Sequence, residues 1–193
     1  MSMPTTLRII REEHRALKAI LQSLHLLIEQ GPGANETAFF RSLRAMLLYI
    51  DQYPERLHHP KESELLFPKV CEKDSGVAQA VRELDHDHKK SEQSVRQLQL
   101  QLLGWEFLGK SERLTFVTAF ESYKRAYLVH MELEESAIFP SALQHLSAED
   151  WAEVDAAFAA NQDPLTGHYP AEGVFAELFT RIVSEAPQPI GLG

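Results

Sequence analysis

The sequence predicts an all-α protein, an antiparallel up-down-up-down four-helix bundle with one or two extra C-terminal helices. Three observations carry that prediction. Apolar residues recur three and four positions apart along four long segments, the period of an inward-facing helical seam. The breakers between those segments are few and short, which makes successive helices antiparallel neighbours. One stretch, "LHHPKESELLFP" at residues 57–68, returns as "LVHMELEESAIFP" at residues 128–140.

The first seam comprises Leu7, Ile10, Leu17, Leu21, Leu24 and Ile28, with His14 completing it, and "GPGAN" at residues 31–35 ends the helix. The second helix starts near Glu36, carries Phe40, Leu43, Leu47 and Ile50 inward, and runs through Pro54 and Pro60 to about Pro68. Two interior prolines are expected to bend it. Its seam slips by one residue between Ile50 and His58, where Pro54 lies. The third seam is Val81, Leu84, His88, Ser91, Val95, Leu98 and Leu102, and the fourth is Phe116, Phe120, Tyr123, Tyr127, His130, Glu134 and Ala137. Beyond them, "SAEDWAEVDAAFAAN" offers Ser147 as an N-cap with Asp150 three residues on. A loop, "QDPLTGHYPAEG", and a last apolar helix, "VFAELFTRIV", follow. The expected division is a four-helix bundle over residues 1–145 and a helical extension over residues 146–193 packed on it.

A chain of 193 residues, 44% hydrophobic, suffices for one packed core. The net charge of -9 argues against nucleic acid or an anionic membrane as partner. The longest purely apolar stretch, "AMLLYI", is far too short to cross a bilayer. Charges run throughout the first thirty residues, so no signal peptide is legible, and the sole cysteine, Cys71, closes no internal disulfide. These features point to a cytoplasmic protein, with Cys71 an inert buried thiol and the oligomeric state left open.

His and Glu four apart share one helical face, about 6 Å apart along the axis, as two groups reaching one metal would. The spacing alone is weak, because His25/Glu29, His88/Glu92, His145/Glu149 and His168/Glu172 have it as well as His58/Glu62 and His130/Glu134. Seam position separates them. His130 and Glu134 are consecutive seam residues, His14 and His88 occupy equivalent seam positions, and His58, Glu62 and Phe67-Pro68 match His130, Glu134 and Phe139-Pro140 at one offset of 72 residues. "REEHRAL" and "DHDHKKS" also correspond, so the chain reads as a helix pair used twice. Such a duplication builds a two-metal site. The seams of helices one, three and four contain no Lys or Arg to neutralise the two carboxylates. An unpaired buried ion costs several kcal/mol, and metal cations remove that penalty while binding neutral imidazole. The candidate metal ligands are therefore His14, His58, Glu62, His88, His130 and Glu134.

This constellation, His, then His-x-x-x-Glu, then His, then His-x-x-x-Glu on four helices, resembles the hemerythrin-like, HHE cation-binding family over about residues 7–140, and the C-terminal helices resemble an extension seen in some bacterial members. The resemblance implies two non-haem iron ions in an oxo- or hydroxo-bridged centre, with zinc or manganese as alternative occupants. It also implies that Glu62 and Glu134 bridge the ions and that the four His are terminal ligands. The pattern departs from true hemerythrins: their third helix carries two ligating His four apart, whereas His88 is followed by Glu92. The fourth-helix pair is also His-x-x-x-Glu rather than His-x-x-x-x-Asp. Of about twelve positions on two octahedral irons, about two stay open, which puts reversible oxygen carriage in doubt. His59 and Glu92 are the candidates for closing one.

Tyr127, one turn before His130, is placed to donate to a bound oxygen species. His25 and His86 read as surface residues, His145 as a helix end and His168 as a loop residue. The Glu-x-x-His of ferritin-like proteins is matched in letters by "ERLH" and "ELDH", but these fall on consecutive helices and His86 faces away from the seam. Three functions fit: a diiron protein binding or sensing oxygen, nitric oxide or iron; an enzyme reducing peroxide or a related small oxidant; and an interaction module with a structural metal. The partner in the first two is a small molecule.

Overall fold

The computed structural model describes residues 3–161, 163–166 and 176–191. Every regular element among them is helical. Helix α1 spans Thr5–Gln30. The second rod consists of α2 (Glu36–Gln52), a π turn (Pro54–His58), α3 (His59–Lys61), a second π turn (Glu62–Leu66) and α4 (Phe67–Lys73). Helix α5 spans Ala78–Leu108. A fourth rod joins α6 (Arg113–Leu133), a π turn (Glu134–Ile138) and α7 (Phe139–His145). Helices α8 (Ala148–Ala159) and α9 (Ala176–Glu185) follow.

Local chemistry sets the boundaries. Asn35 accepts a hydrogen bond from Ala38 N at the start of α2, and Ser147 with Asp150 forms the expected capping box on α8. Gly31 and Gly109, at φ 71° and 92°, end α1 and α5 in a region that side-chain-bearing residues avoid. No helix among the described residues is long and apolar enough to cross a membrane. His168 and the loop around it lie outside the described residues.

The second rod does not end at Pro68 as the periodicity predicts. A proline inside a helix has no N–H, and its ring presses on the carbonyl four residues back. Pro60, Pro68 and Pro140 each follow a residue whose N–H reaches five residues back instead of four: His59 to Pro54, Phe67 to Glu62 and Phe139 to Glu134. The widened turn accommodates the ring, so the second rod continues past Pro68 to Lys73. A π turn also inserts one residue into the helical register, which accounts for the seam slip between Ile50 and His58.

The apolar seams form two cores. One gathers Leu17, Leu24, Phe40, Leu47, Leu98, Trp105, Phe116 and Phe120; the other gathers Leu7, Ile10, Leu66, Phe67, Leu84, Phe139, Val154 and Phe158. His14, His58, His88 and His130 fall in sequence between the two sets, so the polar centre sits mid-bundle with apolar packing on both sides. Helix α8 packs on α1 and α9 on α2. Cys71 is half-buried against the second core rather than buried within it.

The segment after α8 is fastened by buried polar bonds. The Tyr49 hydroxyl donates to Asp163 Oδ2 at 2.6 Å, and Asn161 Nδ2 donates to Glu13 Oε1 at 3.0 Å. Burial pushes the Asp163 carboxyl up to about 6, against the lowering effect of the bonds from Tyr49 and Leu165 N. With its folded pKa above the unfolded value of about 3.9, the native state binds more protons than the unfolded chain between about pH 4 and 6. Stability therefore falls as pH rises through that window. Asp163→Asn removes this slope, so its stability relative to the parent is expected to rise by roughly 1–3 kcal/mol between pH 4 and 7. Urea denaturation at the two pH values measures it, and an unchanged difference would contradict the buried carboxylate.

Candidate metal centre

Two groups of side chains converge mid-bundle. His14, His58, Glu62 and Glu134 form one, and His59, Glu62, His88 and His130 form the other; within each, one potential ligand atom per residue lies within 4.8 Å of every other. Ligands around a single ion held at about 2.0–2.2 Å are at most about 4.4 Å apart, so both groups are close to binding size. Glu62 belongs to both. All seven residues are buried, with Glu62 and Glu134 at 0% exposure.

The π turns set the carboxylates. Glu62 opens the turn Glu62–Leu66 and Glu134 opens Glu134–Ile138, each followed by Phe-Pro. The sequence duplication is thus a duplication of helical distortion as well. Phe67 stacks on the His88 ring at 5.7 Å between centroids and Phe139 on the His14 ring at 6.5 Å. The apolar member of each motif fixes an imidazole supplied by a different helix.

A second ring of polar groups orients the imidazoles. Nδ1 of His14 lies 2.9 Å from Glu135 Oε1, that of His58 2.6 Å from Glu13 Oε2, and that of His59 3.0 Å from Glu55 Oε2. A carboxylate only accepts, so Nδ1 carries a proton, and in the neutral ring Nε2 is then the nitrogen left to bind a cation. His88 reaches the same state through Ser63, whose hydroxyl donates to Asp85 Oδ1 at 2.6 Å and so accepts from His88 Nδ1 at 2.8 Å. His130 Nδ1 makes no hydrogen bond, with Asp87 3.8 Å away. Carboxylates behind imidazoles are the usual support of metal-ligating histidine.

The inner atoms are left short of partners. None of the four carboxylate oxygens of Glu62 and Glu134 makes a hydrogen bond with the protein, although His58 Nε2 is 2.9 Å from Glu62 Oε1 and His14 Nε2 is 3.3 Å from Glu134 Oε2. The Nε2 atoms of His88 and His130 face each other at 3.2 Å, where two lone pairs repel unless one nitrogen is protonated or a cation lies between. Burial and the neighbouring Glu134 carboxylate raise the Glu62 pKa well above the usual range. Burial lowers the pKa values of His59 and His88, keeping them neutral as metal ligands must be. At His58 burial works in the same direction, but Glu62 and Glu13 outweigh it and raise the pKa. Orphaned carboxylates, inward lone pairs and supporting outer carboxylates together fit divalent or trivalent cations.

A family model described as the hemerythrin HHE cation-binding domain matches residues 5–142. The chain belongs to the hemerythrin HHE cation-binding family. Its buried His/Glu groups are compatible with metal, including iron, and the family match stops before α8. No curated protein and no solved structure matches the chain.

Set against the family pattern, the structure brings together all six residues singled out from the sequence and adds His59. Glu92 stays out, its half-exposed carboxylate paired with Arg96 at 2.6 Å. His25 bonds Glu121 at 2.7 Å on the flank of the bundle, and His86 and His145 are exposed. Tyr127 does reach the centre: its hydroxyl lies 2.9 Å from His59 Nε2. Glu55, buried beside it, accepts from Ser91 at 2.5 Å and Tyr123 at 3.1 Å. Burial raises the Glu55 carboxyl to about 7 against those bonds. The outer residues Glu13, Glu55, Asp85 and Glu135 escaped the sequence reading, since each is one acidic residue among 28. Only Glu55 had a local signal, four residues before His59.

Proposed function

We propose that this hemerythrin HHE protein holds two iron ions, one in each His/Glu group with Glu62 shared, and binds a small ligand such as oxygen or nitric oxide at an open position. The observation that carries the reading is the pair of four-residue groups meeting at one fully buried, unbonded carboxylate. Five imidazole nitrogens and four carboxylate oxygens supply about nine donors against about twelve for two octahedral ions. The fifth imidazole, from His59, takes the place of the histidine missing from the third helix. Iron so held supplies reversible ligand binding or one-electron chemistry, and zinc or manganese would be the alternative occupants. The bundle order up-down-up-down, the division at residue 145 and a cytoplasmic location remain part of this reading.

Access favours one side. A cavity of about 280 Å³ reaches His59, His88 and His130, whereas the cavity beside His14 and His58 is about 10 Å³. The smaller space is barely enough for one water. An external ligand therefore arrives at the His59 side, where a metal on His59 Nε2 would release the Tyr127 hydroxyl, 2.9 Å from that nitrogen, to donate a hydrogen bond. Reduction of peroxide is a second reading, favoured by Glu55: a buried carboxyl near pKa 7, bonded by tyrosine and serine hydroxyls, can hold a proton beside the site.

Metal analysis and visible absorption of protein purified in air test the proposal. About two irons per chain with a charge-transfer band lost in both His58→Ala and His130→Ala support it, and a colourless protein with zinc or no metal would sink it. His59→Ala is expected to lose about half of the iron while Glu92→Ala retains all of it. Equal retention by the two variants would remove His59 from the ligand set.

A further inference from the structure

The 280 Å³ cavity is far larger than a diatomic ligand needs. Its volume equals roughly nine water-sized groups. It lies between α5 and α6, which pack directly on each other, and its lining runs from Asp87 to Gln101 on one helix and from Ala119 to His130 on the other. At a rise of about 1.5 Å per residue these stretches measure roughly 16–21 Å, so the space is a long groove. Small side chains open it: Ser91 and Ser94 on α5 face Ala119, Ser122 and Ala126 on α6. Tyr123 and Tyr127 are buried beneath it, with Leu98 further along the floor. His59, His88 and His130 close one end, where the rim carries one cation, Lys90, and one anion, Asp87.

We infer that this groove binds an unbranched aliphatic molecule of about eight or nine non-hydrogen atoms with a neutral oxygen head, an alcohol or hydroperoxide, the head lying at the imidazole end. The length of the groove and its small side chains suit an extended chain. Opposed charges at the rim give no net attraction to an ionised head, and the net charge of the whole chain, -9, opposes a carboxylate. The placement of the head rests on the diiron reading; the seat of the chain does not.

The test uses the metal-loaded protein and three probes, 1-octanol, octanoate and ethanol, with binding read by calorimetry, and azide as a small ligand read by visible absorption. Octanol is expected to bind at least about tenfold more tightly than ethanol or octanoate. Ala119→Phe, which fills the groove far from the imidazoles, is expected to weaken octanol about tenfold while leaving the azide response unchanged. Ser94→Leu provides a second obstruction should Ala119→Phe fold poorly. Octanol binding no tighter than that of ethanol, or indifferent to both obstructions, would overturn the inference. An absent azide response with intact octanol binding would instead count against the dinuclear centre and leave the groove assignment standing. Between the two head groups, octyl hydroperoxide that changes the metal absorption where octanol does not identifies the reactive one.

Discussion

Glu62→Gln is expected to abolish the metal content of both groups and, in the same protein stripped of metal, to raise stability. Glu62 is the single residue common to the two clusters, so its loss should take iron from about two per chain to near zero, whereas a histidine serving one cluster should cost about half. Without metal, its carboxylate is fully buried, unbonded and faced by Glu134. The amide cannot ionise against Glu134 and can donate to His58 Nε2, 2.9 Å from the present oxygen, so the metal-free variant should gain about 0.5–1.5 kcal/mol. With metal the order reverses, because only the parent gains binding free energy on folding. Thermal denaturation of both proteins, with iron and after chelation, reads both halves. A variant that keeps about two irons, or is less stable than the parent in both states, would falsify the shared-carboxylate arrangement.

Phe158→Ala is expected to lower stability by about 3–5 kcal/mol, a fall in Tm of roughly 10 °C for a chain of this length. Phe158 is fully buried in the core with Leu7, Ile10 and Val154, where α8 packs on α1. Its ring meets His58 edge-on at 6.3 Å. Three residues beyond it, Asn161 holds Glu13, which in turn holds His58 Nδ1. Loosening α8 should therefore also weaken metal retention, and more on the His14/His58 side than on the His59 side. Denaturation by urea measures the first effect. Chelator competition measures the second, with two release phases expected to separate further in the variant. A loss of stability with no change in metal release would show that the helices beyond residue 145 support the bundle without supporting the centre.

Much of the centre was legible because it is periodic. His14 and His88 stand in the place of a seam residue on their helices, and His130 and Glu134 follow each other one turn apart on theirs. A residue in a seam faces inward whatever the partner helices turn out to be. The 72-residue repeat then tied His58 and Glu62 to His130 and Glu134 although the second seam loses phase at Pro54. Periodicity alone ends the second rod at Pro68, because an interior proline is incompatible with a regular α-helix. A π turn was the other solution, and it is fixed by hydrogen bonds that no letter count reveals.

His59 shows the limit most clearly. It is adjacent to His58, and an α-helix directs neighbouring side chains about 100° apart, so a regular helix would not send both inward. The π turn that ends at His58 widens the helix at this point, and both imidazoles enter the centre. The sequence by itself determined the helical class, the repeated motif and the six inward His and Glu residues, a set compatible with metal, because these follow from helical period and from the cost of buried charge. Only the tertiary structure decided that His59 joins and Glu92 does not, that Glu62 is shared, that Glu13, Glu55, Asp85 and Glu135 orient the imidazoles, and that a groove opens on one side. The entry of His59 and its bond to Glu55 depend on a π turn within one rod, and the others on how far apart different helices lie, a distance set by packing many residues away and not by local spacing.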